Sequence, residues 1–290
     1  MSFSSDLKEE LSKKNNLANK EEVKWELIGY LISNNTTCDK TKIKYTTENE
    51  YNINRFSKLL SNVNQLEYQI GLTGKVYWIE CKKIDLPEIE YEEDSISYQK
   101  EELPENLIKA FLRGIFLGSG SMNNPEKKYH LELLFAKEET AKQIQQLMKR
   151  ESISFKWLER KKGYALYLKE GEEISKFLAF IGATQAVLKF EEIRVLRDMK
   201  NQVNRTVNCE TANLNKTVEA AVKQLQAIQT LQKKGKWESL PENLKEIGKL
   251  RLENPHASLI ELGKMLKEPI GKSGVNHRMQ TILSLASKEE

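Results

Sequence analysis

Two apolar segments of the chain each carry small residues four positions apart, and this spacing most constrains the fold. The small residues are Gly29 and Ser33 in KWELIGYLISNN, and Gly114 and Gly118 in IKAFLRGIFLGSGS. Glycine inside a helix costs about 1 kcal/mol relative to alanine, so its repeated use there needs a packing reason. Small residues on one helical face let two helix backbones approach closely. We therefore predict that these two helices pack against each other; two separate core helices are the alternative.

The segments that follow these two helices share one plan. After the first helix come strand-like KIKYTT, helix-like YNINRFSKLLSNV, and the strands LEYQIGL and KVYWIEC. After the second come YHLELLFA, ETAKQIQQLMKR, ISFKWLER and YALYLKE, in the same order. This repeat predicts a pseudo-twofold pair of α+β units at about residues 21–85 and 106–185. Whether TTCDK and SMNNPEK add a short strand before each inner helix stays open.

Charge is distributed unevenly along the chain. Lys and Arg number 46 against 42 Asp and Glu, yet residues 84–105 hold nine acids and one base. The rest of the chain is therefore basic. Pro87 and Pro104 frame this acidic strap, which we predict to be a solvated linker or loop. Screening of a basic surface by the strap is the alternative.

Several classes of protein are disfavoured by the composition. The chain has no apolar run of membrane-spanning length, and its start, MSFSSDLKEELSKK, lacks the apolar stretch of a secretory signal. We therefore expect a cytoplasmic protein. The three cysteines and three histidines are scattered, so neither a disulfide framework nor a zinc site is predicted. We expect no metal, no cofactor and no small-molecule substrate.

Residues 191–217 place arginine and asparagine at intervals of three and four. These residues are Arg194, Arg197, Asn201, Asn204, Arg205 and Asn208. In a helix they would form one polar stripe, in which arginine could bind DNA phosphates and asparagine could contact bases. The alternative is a connector helix whose polar face is solvated or bonded within the protein. A second long helix is predicted from the apolar residues of TVEAAVKQLQAIQTLQ.

The C-terminal segment has the layout of a helix-turn-helix. A first helix in LPENLKEIGKLRLEN stops at Pro255, and SLIELGKML begins with Ser258 and Glu261 in a capping-box pattern. After a turn, Ser273 is predicted to cap a third helix, GVNHRMQTILSLA.

The third helix of this module has a predicted buried face and a predicted DNA-facing surface. Val275, Met279 and Ile282 recur at intervals of four and three, which fixes the buried face. Polar side chains elsewhere on such a helix can read bases, and basic ones can anchor to phosphates. The candidate readers are Ser273, Asn276, His277 and Gln280, and the candidate anchors are Lys272 and Arg278. A three-helix module that binds protein is the alternative.

The twin helices with their strands resemble the LAGLIDADG homing-endonuclease fold. The whole order of parts, with SFSSDLKEEL, NRTVNCETANLNKT and IGKSGVNHRMQTI, resembles the WhiA family of bacterial regulators. This resemblance implies a pseudo-twofold, degenerate LAGLIDADG-like α+β domain followed by an all-α helix-turn-helix domain. It also implies a nucleoid-associated transcriptional regulator tied to cell division, chromosome segregation or sporulation. Its implied partners are double-stranded DNA and other transcription or division proteins.

The same resemblance places the metal-binding acids of active enzymes at Asn34 and Ser119, so both acids are missing. Mg²⁺ is held by anionic oxygen ligands, and neutral amide or hydroxyl oxygens supply too little charge to replace them. We therefore predict a protein that is not an enzyme. A residual metal-dependent nuclease would need Glu26 or Glu132 to converge on these positions. A DNA-associated scaffold for the division machinery is a further alternative.

Three parts are predicted along the chain. Residues 1–188 form the degenerate homing-endonuclease-like domain, 189–232 a helical connector, and 233–290 the helix-turn-helix domain. The last part would read DNA sequence. The first would add phosphate contacts or a surface for a protein partner.

Overall fold

The computed structural model of the chain describes residues 2–63, 67–99, 102–161 and 163–288. The chain divides into two compact units, Met1–Asp198 and Met199–Glu290. One long helix belongs to both units. The predicted domain boundaries at 188 and 232 therefore fall inside this helix and remain predictions.

The first unit combines helices with antiparallel sheets. Its helices are α1 (Phe3–Ser12), α2 (Lys20–Leu31), α3 (Glu50–Val63), α4 (Glu105–Ser119), α5 (Glu138–Arg150) and α6 (Gly171–Phe180). Its strands are β1 (Thr36–Cys38), β2 (Lys42–Thr47), β3 (Tyr68–Thr73), β4 (Val76–Lys82), β5 (Ile89–Tyr91), β6 (Ile96–Tyr98), β7 (Ser121–Met122), β8 (Leu131–Phe135), β9 (Lys156–Arg160) and β10 (Gly163–Leu168).

Two four-stranded antiparallel sheets have the same strand order, β1-β2-β4-β3 and β7-β8-β10-β9. Each half thus runs helix, two strands, helix, two strands, which confirms the predicted repeat. The open question about strand number is also answered, because TTC and SM form the short strands β1 and β7. Alternate residues of β8 are buried, so one face of its sheet packs into the core.

The backbones of α2 and α4 approach closely at the predicted small residues. A methyl group added to Gly29 would lie 2.7 Å from Ile115 N, and one added to Gly114 would lie 2.9 Å from Glu26 C. Farther along, a methyl group on Gly118 would lie 2.7 Å from Ser33 Cβ. Real Cβ atoms do not tolerate such distances, so no larger residue fits at these glycines without displacing the facing helix.

The acidic strap is more ordered than predicted. Within it, β5 and β6 pair as an antiparallel hairpin, and the Tyr98 ring packs edge-on against Phe111 at 4.9 Å between ring centroids. The prediction of a solvated linker is therefore wrong for this part, because its apolar side chains alternate into the core. Lys100 and Glu101 of the strap lie outside the described residues.

Ion pairs also fasten the strap to the body. Glu88 accepts a hydrogen bond from Lys24 Nζ at 2.7 Å, and Glu92 pairs with Lys137. Glu88 and Glu92 of the strap are thus paired with lysines of the first unit. Such pairs are what the alternative, in which the strap screens basic residues, predicts.

Helix α7 (Thr184–Lys233) is continuous over 50 residues. The sequence favoured two successive helices here, and the structure has one because no glycine or proline interrupts this range. Residues 198–220 are exposed on every side of the helix. Among the described residues, no helix is both long and apolar enough to cross a membrane.

The second unit is helical and has its own core. Three helices follow α7, namely α8 (Glu242–Glu253), α9 (Leu259–Met265) and α10 (Lys272–Ala286). The buried apolar side chains include Ile228 and Leu231 at the end of α7, together with Ile247, Leu262 and Met279. The last turns of α7 are therefore part of the helix-turn-helix core.

Local hydrogen bonds set the ends of α9 and α10. Ser258 Oγ accepts from Glu261 N at 3.3 Å while Glu261 Oε2 accepts from Ser258 N at 2.7 Å, which confirms the predicted capping box. The predicted cap at Ser273 is wrong. Helix α10 begins earlier, because Val275 N already donates to Gly271 O at 3.2 Å, and Gly271 is the N-cap without a side-chain bond.

The close contact between α2 and α4 predicts that alanine at Gly114 lowers stability, whereas alanine in place of glycine within a helix ordinarily raises it. Gly114→Ala should destabilise the first unit by about 1–3 kcal/mol through overpacking, although alanine is the better helix former by about 1 kcal/mol. Ser61→Ala, at an exposed position of α3, is the control and should change stability by less than about 0.5 kcal/mol. Thermal unfolding followed by tryptophan fluorescence measures both. Stabilisation by Gly114→Ala would mean that the helices are not in close contact.

Candidate nucleic-acid interface

The two positions of the missing acids lie together at the C-terminal ends of α2 and α4. Asn34 N donates to Leu134 O at 3.1 Å, and Ser119 Oγ donates to the same carbonyl at 2.6 Å. Leu134 N in turn donates to Ser119 Oγ at 3.3 Å. Asn35 Nδ2 donates to Gly118 O at 2.8 Å and ties the end of one helix to the other. We call this group the helix foot.

The side chains of the helix foot are neutral, and those of Ser119 and Asn35 are engaged in these hydrogen bonds. Ser119 is buried, and its hydroxyl both donates to and accepts from the backbone of β8. A divalent cation is held by several oxygens with net negative charge, which an amide and a bonded hydroxyl do not supply. Within the described ranges, no group of three or more His, Cys, Asp or Glu residues is placed to hold a metal ion.

Glu26, the first alternative acid, is buried about one and a half turns before the end of α2. Its Oε1 accepts from Arg55 Nε at 2.7 Å, and its Oε2 accepts from Arg55 Nη2 and from Arg113 Nε, each at 2.9 Å. Burial raises the pKa of this carboxyl, but the hydrogen bonds and charges of the two arginines outweigh burial and hold the pKa below its ordinary value. Glu26 is thus an ionised link between α2, α3 and α4.

Glu132, the second alternative acid, lies on β8 and is engaged with neighbouring side chains. Its Oε2 accepts from Arg160 Nη2 at 2.9 Å and lies 3.3 Å from His130 Nε2. The structure therefore brings Asn34 and Ser119 together, but it holds both alternative acids in ion pairs of their own.

The predicted arginine stripe on α7 divides into two groups. Arg197 Nη1 donates to Pro125 O at 2.7 Å, and its guanidinium lies 4.3 Å from the Tyr129 ring centroid. Arg194 Nη1 pairs with Glu191 at 3.1 Å on the same helix. For these two arginines the structure favours the alternative of bonding within the protein. Arg205 is exposed, as are the asparagines of the stripe.

An apolar stripe lies on the other side of the exposed part of α7. Met199, Val203, Val207 and Leu214 are 59%, 60%, 52% and 63% exposed, respectively. At 100° per residue these side chains lie on one face of the helix, and Arg205 lies on the opposite one. Exposed apolar stripes of this kind are typical of surfaces that contact another molecule.

Helix α10 presents its predicted side chains as expected from the periodicity. Val275, Met279 and Ile282 are fully buried. Arg278 is half-buried, and the remaining candidates are exposed, namely Lys272, Ser273, Asn276, His277 and Gln280. Their contact with DNA remains a prediction.

The electrostatics of α10 favour an anionic partner. The helix carries Lys272 and Arg278 but no acid along its length. Gly271 provides no side-chain cap, so the first amides of α10 keep their donor capacity at the positive end of the helix dipole. The same end of the helix holds Ser273, Asn276 and His277, the part of a recognition helix that meets base edges.

The fold defines a class of protein: a LAGLIDADG-like α+β domain with neutral side chains at its acid positions, followed by a helix-turn-helix domain. Comparison with known proteins agrees. The family model for the WhiA LAGLIDADG-like domain matches residues 108–200, and that for the WhiA C-terminal HTH domain matches residues 203–286.

Relatives match over nearly the whole chain. The chain is 40% identical to the "Probable cell division protein WhiA" of Staphylococcus carnosus, covering 99% of this chain and 97% of the relative. It is 37% identical to the protein of the same name from Clostridium tetani, covering 99% and 98%. The crystal structure of full-length DUF199/WhiA from Thermatoga maritima superposes with a TM-score of 0.62 at 28% identity, covering 99% of both chains. The chain belongs to the WhiA family, and the predicted fold class is confirmed.

Sequence reasoning missed the buried ion-pair cluster of Glu26, Arg55 and Arg113. A signal for it exists, because Glu26 in KWELIGYL and Arg113 in FLRGIF are charged residues on helices that are otherwise apolar. The sequence does not show which residues pair with Glu26, since Arg55 comes from a different helix, 29 positions along the chain.

The buried cluster predicts acid sensitivity. Glu26→Gln should destabilise the first unit by about 3–5 kcal/mol at pH 7, because two arginines lose their counter-ion. The pKa of Glu26 is lower in the folded than in the unfolded chain, so its contribution is present above the unfolded pKa and is lost as pH falls through the folded pKa. The free energies of unfolding of the wild type and of the variant should therefore become similar at acid pH.

Glu132→Gln is the matched control for this prediction. Its partner Arg160 is 46% exposed, so loss of the pair should change stability by less than about 1 kcal/mol. Urea unfolding at pH 7 and at acid pH measures both variants. Equal stability of Glu26→Gln and wild type at pH 7 would refute the structural role of the cluster.

Proposed function

We propose that this protein is a sequence-specific DNA-binding transcriptional regulator without nuclease activity. The observation that carries the proposal is the surface of α10. Its buried residues Val275, Met279 and Ile282 fix the helix, and polar side chains with no acid among them point away from the core. A helix that enters the major groove of DNA needs such a surface.

The proposed readers are the exposed amides and the proposed anchors are the basic side chains. Asn276 and Gln280 can bond a base edge with two hydrogen bonds, and such bidentate contacts discriminate between bases. Lys272, Arg278 and the exposed Arg205 of α7 are suited to phosphates, which position the protein without reading sequence. Arg194 and Arg197 contribute less in this proposal, because both are engaged within the protein.

Absence of cleavage is proposed from the chemistry of the helix foot. Asn34 and Ser119 offer neutral oxygens, and both are held by the carbonyl of Leu134 through backbone or hydroxyl donors. Glu26 and Glu132 are paired with arginines instead of facing the foot. Phosphodiester hydrolysis by this fold requires a cation over the scissile phosphate, and these groups give little support for one.

The cellular role is proposed from the relatives. Those compared above are named cell division proteins, which supports regulation of genes in division, chromosome segregation or sporulation and an association with the nucleoid. A second candidate is a DNA-associated scaffold that binds division or segregation proteins. The exposed apolar stripe at Met199, Val203, Val207 and Leu214 favours a protein contact of this kind.

Replacement of the proposed readers should reduce specificity. Asn276→Ala or Gln280→Ala should weaken binding to a preferred duplex by about 1–3 kcal/mol and to random duplex much less, because the base contact exists only at the right base. Arg278→Ala should weaken both duplexes to a similar degree. Fluorescence anisotropy with labelled duplexes measures these affinities.

Two arginines of α7 serve as controls for phosphate contacts. Arg205→Gln should lower the slope of log affinity against log salt by about 0.9, whereas Arg197→Gln should leave the slope unchanged. If Asn276→Ala and Gln280→Ala affect preferred and random duplexes equally, α10 is not the reading helix.

Nuclease assays should show no cleavage. Supercoiled plasmid incubated with the full chain in Mg²⁺ or Mn²⁺ should be nicked no faster than plasmid alone, because the helix foot lacks anionic ligands. Gel electrophoresis over a time course measures nicking. Metal-dependent nicking by the wild type that disappears in Glu26→Gln or Glu132→Gln would contradict the proposal.

A further inference from the structure

A polar cleft of about 580 Å³ opens beside the helix foot. It lies between the start of α1, the residue Asn35 after α2, and the end of β2 with the loop that follows. Its lining residues are Ser2, Ser4, Ser5, Lys8, Asn35, Thr46, Thr47, Glu48, Asn49 and Val76. Most of these side chains carry hydroxyl or amide groups, and Glu48, which is exposed, is the acid among them.

Lys8 is the basic residue of this cleft and lacks a counter-ion within the described ranges. Its side chain is half-buried, and its Nζ lies 6.0 Å from the centroid of the Phe116 ring. Burial lowers the pKa of the Lys8 amine from 10.5 to about 8, with no acid near enough to oppose this shift. Removing an ammonium group from water without a paired anion is unfavourable, and an anionic ligand would relieve that penalty.

Two lysines near α1 differ in this respect. Lys13, directly after α1, pairs with Glu9 at 2.5 Å, and Lys189 pairs with Asp6 at 3.3 Å. The unpaired state of Lys8 is therefore not a general property of this surface. Lys8 is the lysine of α1, and it lines the cleft.

Further groups in the cleft suit an oxyanion. The hydroxyls of Ser2 and Ser5 can donate hydrogen bonds, and the cleft lies at the N-terminal end of α1, where the helix dipole favours negative charge. An ammonium with three donors, together with hydroxyl donors, matches the tetrahedral oxygens of a phosphate. The volume exceeds that of one phosphate, so the group can belong to a larger molecule.

We propose that this cleft binds a phosphate group through Lys8, with the cleft hydroxyls as additional donors. The proposal rests on the proposed function where the phosphate belongs to a DNA backbone. The LAGLIDADG resemblance implies that active enzymes hold a metal cation over a phosphate at the helix foot. In this protein a side-chain cation stands beside the foot and takes up phosphate charge without hydrolysis.

The experiment compares Lys8→Met and Lys8→Arg with the matched control Lys13→Met in the full chain. In the first arm, ³¹P NMR of millimolar inorganic phosphate is recorded with each protein. Wild type, Lys8→Arg and Lys13→Met should broaden the phosphate signal, and Lys8→Met should not. In the second arm, binding of a random-sequence duplex is measured by anisotropy as a function of salt.

Loss of a contact with the DNA backbone in Lys8→Met should lower the salt slope by about 0.9. A fourfold rise in salt should then weaken binding about 3.5-fold less than in the control. A change in both arms assigns the site to the DNA backbone. A change in the NMR arm alone supports the phosphate site and assigns it to a free phosphate or nucleotide. Thermal unfolding shows whether Lys8→Met is folded. If Lys8→Met is unfolded, Lys8→Arg, which keeps the positive charge, tests the site, and loss of phosphate broadening in folded Lys8→Arg would contradict the proposal.

Equal behaviour of Lys8→Met and Lys13→Met in both arms would overturn the proposal. Failure of the proposed function is a separate result. In that case no duplex binds specifically and Asn276→Ala has no effect, while the NMR arm still reports on the cleft.

Discussion

The close approach of α2 and α4 is the contact on which the rest of the first unit depends. Gly29 and Gly114 have no side chains, so backbone meets backbone, and each half of the molecule is fixed to the other through this line. Both sheets then extend outwards in the same strand order. The buried cluster of Glu26, Arg55 and Arg113 joins the same two helices to α3, and it is tolerated in the core because the Glu26 carboxylate pairs and hydrogen-bonds with both arginines.

The same contact determines what the helix foot can do. Because α2 and α4 end side by side, Asn34 and Ser119 meet at one carbonyl, that of Leu134. In this position a pair of carboxylates would repel each other unless a cation lay between them. Here the backbone N–H of Asn34 and the hydroxyl of Ser119 instead both donate hydrogen bonds to Leu134 O. The foot is thus a structural joint of the domain, and the proposed contacts with DNA bases lie on α10.

Much of the fold was predictable because local pattern and packing agree. The glycine spacing predicted the paired helices, the order of elements predicted the repeat, and Ser258 with Glu261 predicted the start of α9. The buried face of α10 also followed from Val275, Met279 and Ile282, because helical periodicity alone decides it.

Features that depend on distant residues were not predictable. The bonds of Arg197 to Pro125 and Tyr129 join positions about seventy residues apart, so no local spacing distinguishes Arg197 from exposed Arg205. The hairpin in the acidic strap was hidden because high charge masked the alternation of Ile96 and Tyr98. Lys8 was overlooked for the opposite reason, since only the folded cleft shows that this lysine lacks a counter-ion. The start of α10 was misplaced because glycine at 271 can end a turn or begin a helix.

We propose that α10 reads DNA sequence while the LAGLIDADG-like domain does not. The most direct measurement is selection of bound duplexes from a random library, performed in parallel with the wild-type full chain and with a variant combining Asn276→Ala and Gln280→Ala. The wild type should enrich one motif, and the variant should recover DNA without enriching that motif. Enrichment of the same motif by both proteins would contradict the claim and assign sequence reading to another surface.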